Sequence, residues 1–484
     1  MIGATLVFVG VYGWLVLELH ASYTTQAFDF GIFDQGLWLL SRFEEPFVTL
    51  RGLNLFGDHA SLIMIPVAPL FWLWDDPRAL LLFTVAALAA GGPLLYAIGR
   101  RLDLPTPLAA VLAVAFLLHP TLTWATWWNF HPELMAIPLL LGSFLLAVQG
   151  RPKLSAAALL AVLLVKEDAP LVVVPLATWL AVTRRWPLRQ GVLVGGAAVA
   201  VLIVDLALLL PSFTPTGELV YVGRYARFGD TLPEALVGMV AHPATTLGVL
   251  FSGRSLTYVA KMLLPLPLCV ARPSMLLVGV PITAANLLSG QLGQQDIKFQ
   301  YSAYLLAVVA LAAALGAASV AKLVPRLWRA ARQAPEGRAA MAALAAAVTV
   351  VFALPAHLVW GPSPVGTERG QWFRPDVFDV TRTELLAQIP DDDVVAVDPF
   401  LAPHFTHRDR VYMFPNPWIP HAWGTAGRPP LPDPAIVEWV AVRPVAYPAD
   451  HVGAPVLEQL RASDEFEVVA DNGDVVVLRR VRPS

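Results

Sequence analysis

The segment FDFGIFDQGLW, residues 28–38, sets Asp29 and Asp34 among aromatic and aliphatic neighbours. Further along, Asp58-His59, the run Asn129-Phe130-His131-Pro132-Glu133 and the triplet Lys166-Glu167-Asp168 each interrupt apolar sequence. Arg224 and Arg227 flank a tyrosine in Gly223-Arg224-Tyr225-Ala226-Arg227. Carboxylates, imidazoles and cations together suit transfer of a sugar from a phosphate-linked lipid to a hydroxyl or amine. A carboxylate base must deprotonate the acceptor; Asp29 and Asp34 are the candidates. Fixed positive charge must meet the leaving phosphate. Lys166, with Glu167 and Asp168 beside it, and Arg224 and Arg227 can supply it. A divalent metal held by carboxylate and imidazole could do the same. Asp58, His59, His131 and Glu133 are the residues to hold such an ion or to position the acceptor.

Each group also has a plainer reading. Asp29 can cap a helix starting at Phe30, and Asp34 can lie on a polar face. His131-Pro132-Glu133 has the form of a helix start, with proline at its first position. Two positions separate His131 from Glu133, so a helix would splay them by about 200°, and only one of them, His131 in preference, is expected to face the centre unless the Pro132 turn bends the chain. Trp124, Trp127 and Trp128 can be an interfacial belt. Lys166-Glu167-Asp168 can be a self-contained ion pair, Asp205 and Lys261 a structural pair between helices, and residues 223–227 a solvated loop.

The elements that position these groups are membrane spans. Of 484 residues, 57% are hydrophobic and 14% charged, against about 25% charged in a soluble domain. Apolar runs near the ~20 residues needed to cross a bilayer recur at about 3–20, 79–98, 106–123, 134–149, 154–166, 169–183, 189–210, 255–271, 274–289, 301–321 and 339–357. This reads as a polytopic α-helical protein of eleven spans. Residues 62–74 are too short and contain Pro66 and Pro69, so they are expected to lie re-entrant or at the interface. The net charge of −3 gives no reason for a nucleic-acid partner, and the lone Cys269 allows no internal disulfide.

Basic residues fix the sidedness. Arg100, Arg101, Arg151, Lys153, Arg184, Arg185, Arg189, Arg272, Lys322, Arg326, Arg329, Arg332 and Arg338 fall on one side. The other side has fewer, spread over longer loops. The excess marks the cytoplasm, which puts the N-terminus inside and the polar clusters together outside, in a bacterial cytoplasmic membrane. Asp29, His59, His131 and Glu167 should then line one outward cavity. Residues 358–484 are richer in charge and proline. Strand patterns at 394–397, 411–414, 467–469 and 475–478, with a turn at 471–474, and helices at 383–388 and 454–461, predict a small α/β extracytoplasmic domain after a transmembrane domain of 1–357.

FDFGIFDQGLW, GDHAS, NFHPE, VKEDAPL and APHFTHRDRVYMFP together resemble the bacterial membrane-protein family called domain of unknown function 2079. That family is similar to GT-C glycosyltransferases such as protein mannosyltransferases and the lipid A aminoarabinose transferase. The resemblance implies a catalytic acid in the first external loop (21–78), juxtamembrane helices after it, a polyprenyl-phosphate sugar donor and an envelope glycan, lipid or protein acceptor. Asp29 occupies the place of the first-loop acid and Asp34 that of a second. A lipid or solute transporter, or a non-catalytic envelope assembly protein, would account for intramembrane charge differently.

Overall fold

The computed structural model describes the chain apart from residues 215, 216, 218, 328–334, 369–371, 373–377, 425–428 and 482–484, and apart from the side chains of 322–338. The basic cluster expected at 322–338 therefore lies outside the described side chains. Helices overlap each expected span. Among the described residues five are long and apolar enough to cross a membrane: Ile2–Ala21 (α1), Pro77–Arg101, Leu188–Phe213, Gln300–Ala321 and Ala339–Trp360. A sixth forms if Thr106–Leu117 and Pro120–Trp127, bent by 43°, count as one.

The other expected spans are shorter. Pro132–Val148, Pro152–Val162, Pro170–Val182 and Pro273–Leu288 have 10–17 residues. At about 1.5 Å per residue they fall short of a ~30 Å hydrocarbon core. Each starts on a proline, which lacks the N–H that a first turn would leave unpaired. These prolines cut the apolar sequence into shorter helices. The pieces are locked together: Ser143 Oγ donates to the Ser155 carbonyl at 2.8 Å, Ser155 Oγ donates to the Ser143 carbonyl at 2.7 Å, and Trp186 Nε1 donates to Ser155 Oγ at 3.1 Å. Gln300–Ala321 runs through the centre, 89% buried over its apolar window. A side chain at Gly316 would sit 1.9 Å from the Leu268 carbonyl oxygen, so glycine is what lets these two backbones meet.

Between α1 and Pro77 the chain stays outside the long helices. It forms a π-type turn, Ala27–Gly31, then Ile32–Ser41 (α2), a small hairpin of Phe47–Val48 (β1) and Leu53–Asn54 (β2), and short helices at Leu55–Asp58, Met64–Val67 and Leu70–Leu73. The 62–74 run is thus two short turns and no span.

The tail carries a mixed sheet of Val395–Val397 (β3), Val411–Met413 (β4), Trp439–Val442 (β5), Phe466–Asp471 (β6) and Val476–Arg480 (β7), in the order β4-β3-β5-β7-β6. β3 pairs parallel with β4 and β5, and β7 pairs antiparallel with β5 and β6. Residues on the strands alternate between two cores. Val395, Val397, Val411, Met413, Trp439 and Ala441 join the core of the helical bundle. Ala396, Tyr412, Val440 and Val442 join a second core beneath the helix Ala454–Ala462. Burial on both faces explains continuous apolar runs such as Val394-Val395-Ala396-Val397. β5 was not among the expected strands.

Candidate functional site

The π-type turn places Asp29 between α1 and α2. Its cap residue is Gln26, which makes no side-chain cap bond, and α2 starts without one from Gly31, so Asp29 caps neither. His131 Nε2 instead donates to Asp29 Oδ2 at 3.0 Å. The histidine side chain is 5% exposed and the aspartate 40%. A buried imidazole therefore holds one oxygen of a carboxylate whose other oxygen can meet a ligand. Burial opposes ionisation of Asp29, but the His131 hydrogen bond and charge, then His59 and Lys166, outweigh it and hold its pKa below the ordinary value. A base that is ionised before substrate arrives needs this balance.

Pro132 turns the chain into a short 3₁₀ helix, Pro132–Met135, and sends Glu133 the other way. Lys166 Nζ donates to Glu133 Oε1 at 2.7 Å, with both side chains 4% exposed. Both His131 and Glu133 thus face the interior, each toward its own partner, where a straight helix would have turned only one of them inward. Lys166 also lies 3.9 Å from Asp168 Oδ2. Next in line, His59 Nδ1 donates to Glu167 Oε1 at 2.9 Å, and the Ala60 N–H donates to Glu167 Oε2 at 3.1 Å. Burial and Lys166 would lower the His59 pKa, but Glu167 and Asp58 raise it on balance. Glu167 is correspondingly low, since His59 and Lys166 overcome its burial. Asp168 is pushed up, first by burial and then by Glu167 and Glu133.

This network borders a cavity of about 180 Å³ lined by His59, Lys166, Asp168, Arg224 and leucines of the Leu188–Phe213 helix. Tyr221 closes one wall: it stacks on His59 at 4.8 Å and donates to Asp58 Oδ1 at 2.6 Å. The Arg224 guanidinium lies 3.9 Å above the Tyr221 ring and has no carboxylate partner among the described residues. Tyr221, missed in the sequence, completes this wall, and Tyr301, also missed, presents its ring 5.4 Å from Lys166 Nζ and 5.7 Å from the Arg224 guanidinium. The signal for Tyr221 was the Tyr-rich stretch around Arg224.

Two expected site residues lie elsewhere. Asp34 is fully buried against the tail, where Thr406 Oγ1 donates to its Oδ2 at 2.5 Å and His407 Nε2 lies 3.2 Å from the same oxygen. Being on α2, about 140° round from a residue five places earlier, it faces away from Asp29's cavity. Arg227 is exposed and does not line the cavity beside Arg224. Lys261 stands 5.8 Å from the Trp360 ring and makes no ion pair with Asp205 among the described residues. Of the residues expected to hold a metal, His131 pairs with Asp29, His59 with Glu167, Glu133 with Lys166 and Asp58 with Tyr221. Among the described residues no group of three His, Cys, Asp or Glu side chains is placed to hold an ion.

No curated protein matches the sequence. Among solved structures, the chain is similar to ArnT from Cupriavidus metallidurans in the apo state, with a TM-score of 0.52 and 15% identity, covering 98% of each chain. At that identity the likeness speaks for the fold, which is ArnT-like from end to end. Residues 19–451 match the family described as predicted membrane protein (DUF2079). That span runs from the end of α1 through the polar network to the tail, and the chain belongs to the DUF2079 family.

Proposed function

We propose that this protein is a membrane glycosyltransferase of the GT-C type. It moves a sugar from a polyprenyl-phosphate donor to an envelope acceptor on the outer face of the cytoplasmic membrane. The observation that carries the reading is the Asp29–His131 pair: an accessible carboxylate, held ionised by a buried histidine, at the end of a span. Asp29 takes the acceptor's proton through its free oxygen. Arg224, unpaired by any described carboxylate and beside an aliphatic wall, meets the donor phosphate. Lys166 contributes its field from the buried pair with Glu133. The likeness to ArnT supports the fold class that this reaction needs. In this reading the shorter helices complete eleven crossings, with residues 358–484 as an outer domain over the first loop.

The test is a chromosomal deletion followed by mass spectrometry of lipid-linked sugars and envelope glycans. Accumulation of a polyprenyl-phosphate sugar and loss of one glycan modification, both reversed by the wild-type gene, is the expected result. An unchanged lipid-linked pool with unchanged glycans sinks the reading.

A further inference from the structure

Asp29 borders a second cavity of about 260 Å³, which Arg224 does not line. Phe28, Trp124, Trp127, Trp128 and Phe400 form its walls, and Asn129 and Asp29 its polar end. Phe28 is 40% exposed, so an aromatic face is on offer there. Asn129 is 7% exposed and its Oδ1 has no hydrogen-bond partner; the buried Trp128 Nε1 has none either. Unsatisfied buried polar atoms are costly and call for a partner. Asn129 is held with φ of +67°, a conformation that asparagine tolerates better than most residues.

From these groups we infer a subsite for one pyranose ring of the acceptor; the inference rests on the proposed transferase reading. Aromatic faces pack against the apolar C–H face of a sugar. Its hydroxyls would accept from Trp128 Nε1 and donate to Asn129 Oδ1, while the hydroxyl to be glycosylated faces the free oxygen of Asp29. In the step, that oxygen takes the hydroxyl proton. The acceptor oxygen forms a bond to the donor's anomeric carbon as the bond to the phosphate oxygen breaks, and the phosphate leaves with the electron pair. Among the described residues no lysine or arginine lines this cavity, and the nearest cations on its walls, Arg51 at 5.8 Å from the Phe28 ring and Lys298 at 4.8 Å from the Trp124 ring, lie against ring faces. Arg224 lines the other cavity, so we place the phosphate there and the acceptor's ring here.

The experiment uses the full-length protein in phospholipid nanodiscs free of sugar detergents, with methyl glucosides, galactosides and mannosides as probes. Saturation-transfer NMR should show ring protons of at least one pyranoside against the aromatic wall. Asn129→Gly, which keeps the backbone angle available, and Phe28→Ala, at an exposed position, should each weaken binding roughly tenfold, as loss of one buried contact predicts. With lipid-linked donor present, the bound pyranoside should become a glycosylated product. If it only competes with the donor, the ring site belongs to the donor and the inference falls. It also falls if no pyranoside binds or if both variants bind like wild type. The two readings fail separately. Pyranoside binding without any transfer sinks the transferase and leaves a sugar site, whereas transfer to an acceptor without a sugar, with no pyranoside binding, does the reverse.

Discussion

Asp29 and Asp34 share a loop and a histidine partner, and differ in what surrounds them. Asp29 is 40% exposed and meets His131, from the start of a helix in the bundle. Asp34 is fully buried and meets Thr406 and His407, from the tail. The first pair leaves an oxygen facing a cavity; the second is closed between two parts of the chain. An acid–histidine contact is therefore no sign of chemistry by itself. Access to the carboxylate is what separates a base from a clasp.

The largest expected difference is in turnover. Asp29→Asn should lower transfer by about 10²–10⁴-fold, the usual worth of a positioned base, with the protein still inserted and folded. Asp34→Asn should stay within a few-fold of wild type. Steady-state rates with a lipid-linked donor decide it, and equal losses in the two variants would break the distinction.

The buried Lys166–Glu133 pair sharpens the contrast between closed and open charge. Lys166→Met leaves the Glu133 carboxylate buried without its cation, which should cost about 3–5 kcal/mol of stability. Adding Glu133→Gln should recover much of that. Thermal unfolding of the single and double variants reads it, and a double variant no more stable than the single would mean that the pair is not the unit that matters.

Part of the site was legible because charged and imidazole residues that interrupt apolar sequence are costly without partners. Asp29 pairs with His131, Lys166 with Glu133 and His59 with Glu167, but the single cavity expected for them is two: Asp29 borders one, and His59 and Glu167 border the other. What was illegible depended on distant partners or on local turns. Asp34 is tied to Thr406 and His407 across more than 370 residues, and no pattern in FDFGIFDQGLW announces it. His131 and Glu133 both reach the interior because a 3₁₀ turn replaced the straight helix that had set them apart. Arg224 and Arg227 looked equivalent in sequence, and only the ring of Tyr221 singles out the first. Helix lengths were harder to read, because apolar composition does not show that several helices begin at prolines and run only 10–17 residues.

A smaller effect belongs to the clasp. Asp34→Asn weakens a charged acceptor for Thr406 and His407, worth about 1.5–3 kcal/mol for a hydrogen bond to a charged group. The expected result is faster proteolysis of the tail in intact membranes at unchanged insertion. Cleavage at the wild-type rate would show that the apolar face of the sheet holds the tail without Asp34.

The smallest effect is the pH dependence of that contact, and it should have two limbs. Burial works against a charged His407, but the Asp34 and Asp75 carboxylates, 3.2 and 2.7 Å away, raise its pKa on balance. Its contribution is present below the ordinary histidine value of about 6.5 and is lost as pH rises through the raised one. Arg42, paired with Asp75 at 2.8 Å, competes for the same carboxylate. His404 behaves oppositely. Burial first, then the ring of His20 stacked at 4.0 Å and Arg78, push its pKa well down, with only the His20 carbonyl and Asp76 opposing. Its contribution is complete above the ordinary value and is lost as pH falls below it. Docking of the tail should therefore be firmest near the ordinary histidine pKa and weaken on both sides. His407→Gln should flatten the alkaline limb and His404→Phe the acid limb, each measured as protease sensitivity of the tail against pH. Asp34→Asn should move the alkaline limb toward lower pH, since it removes the nearer-buried of the two charges that raise His407. A wild-type profile that is level across the histidine range, or limbs unmoved by these substitutions, would show that the two histidines pack there without titrating.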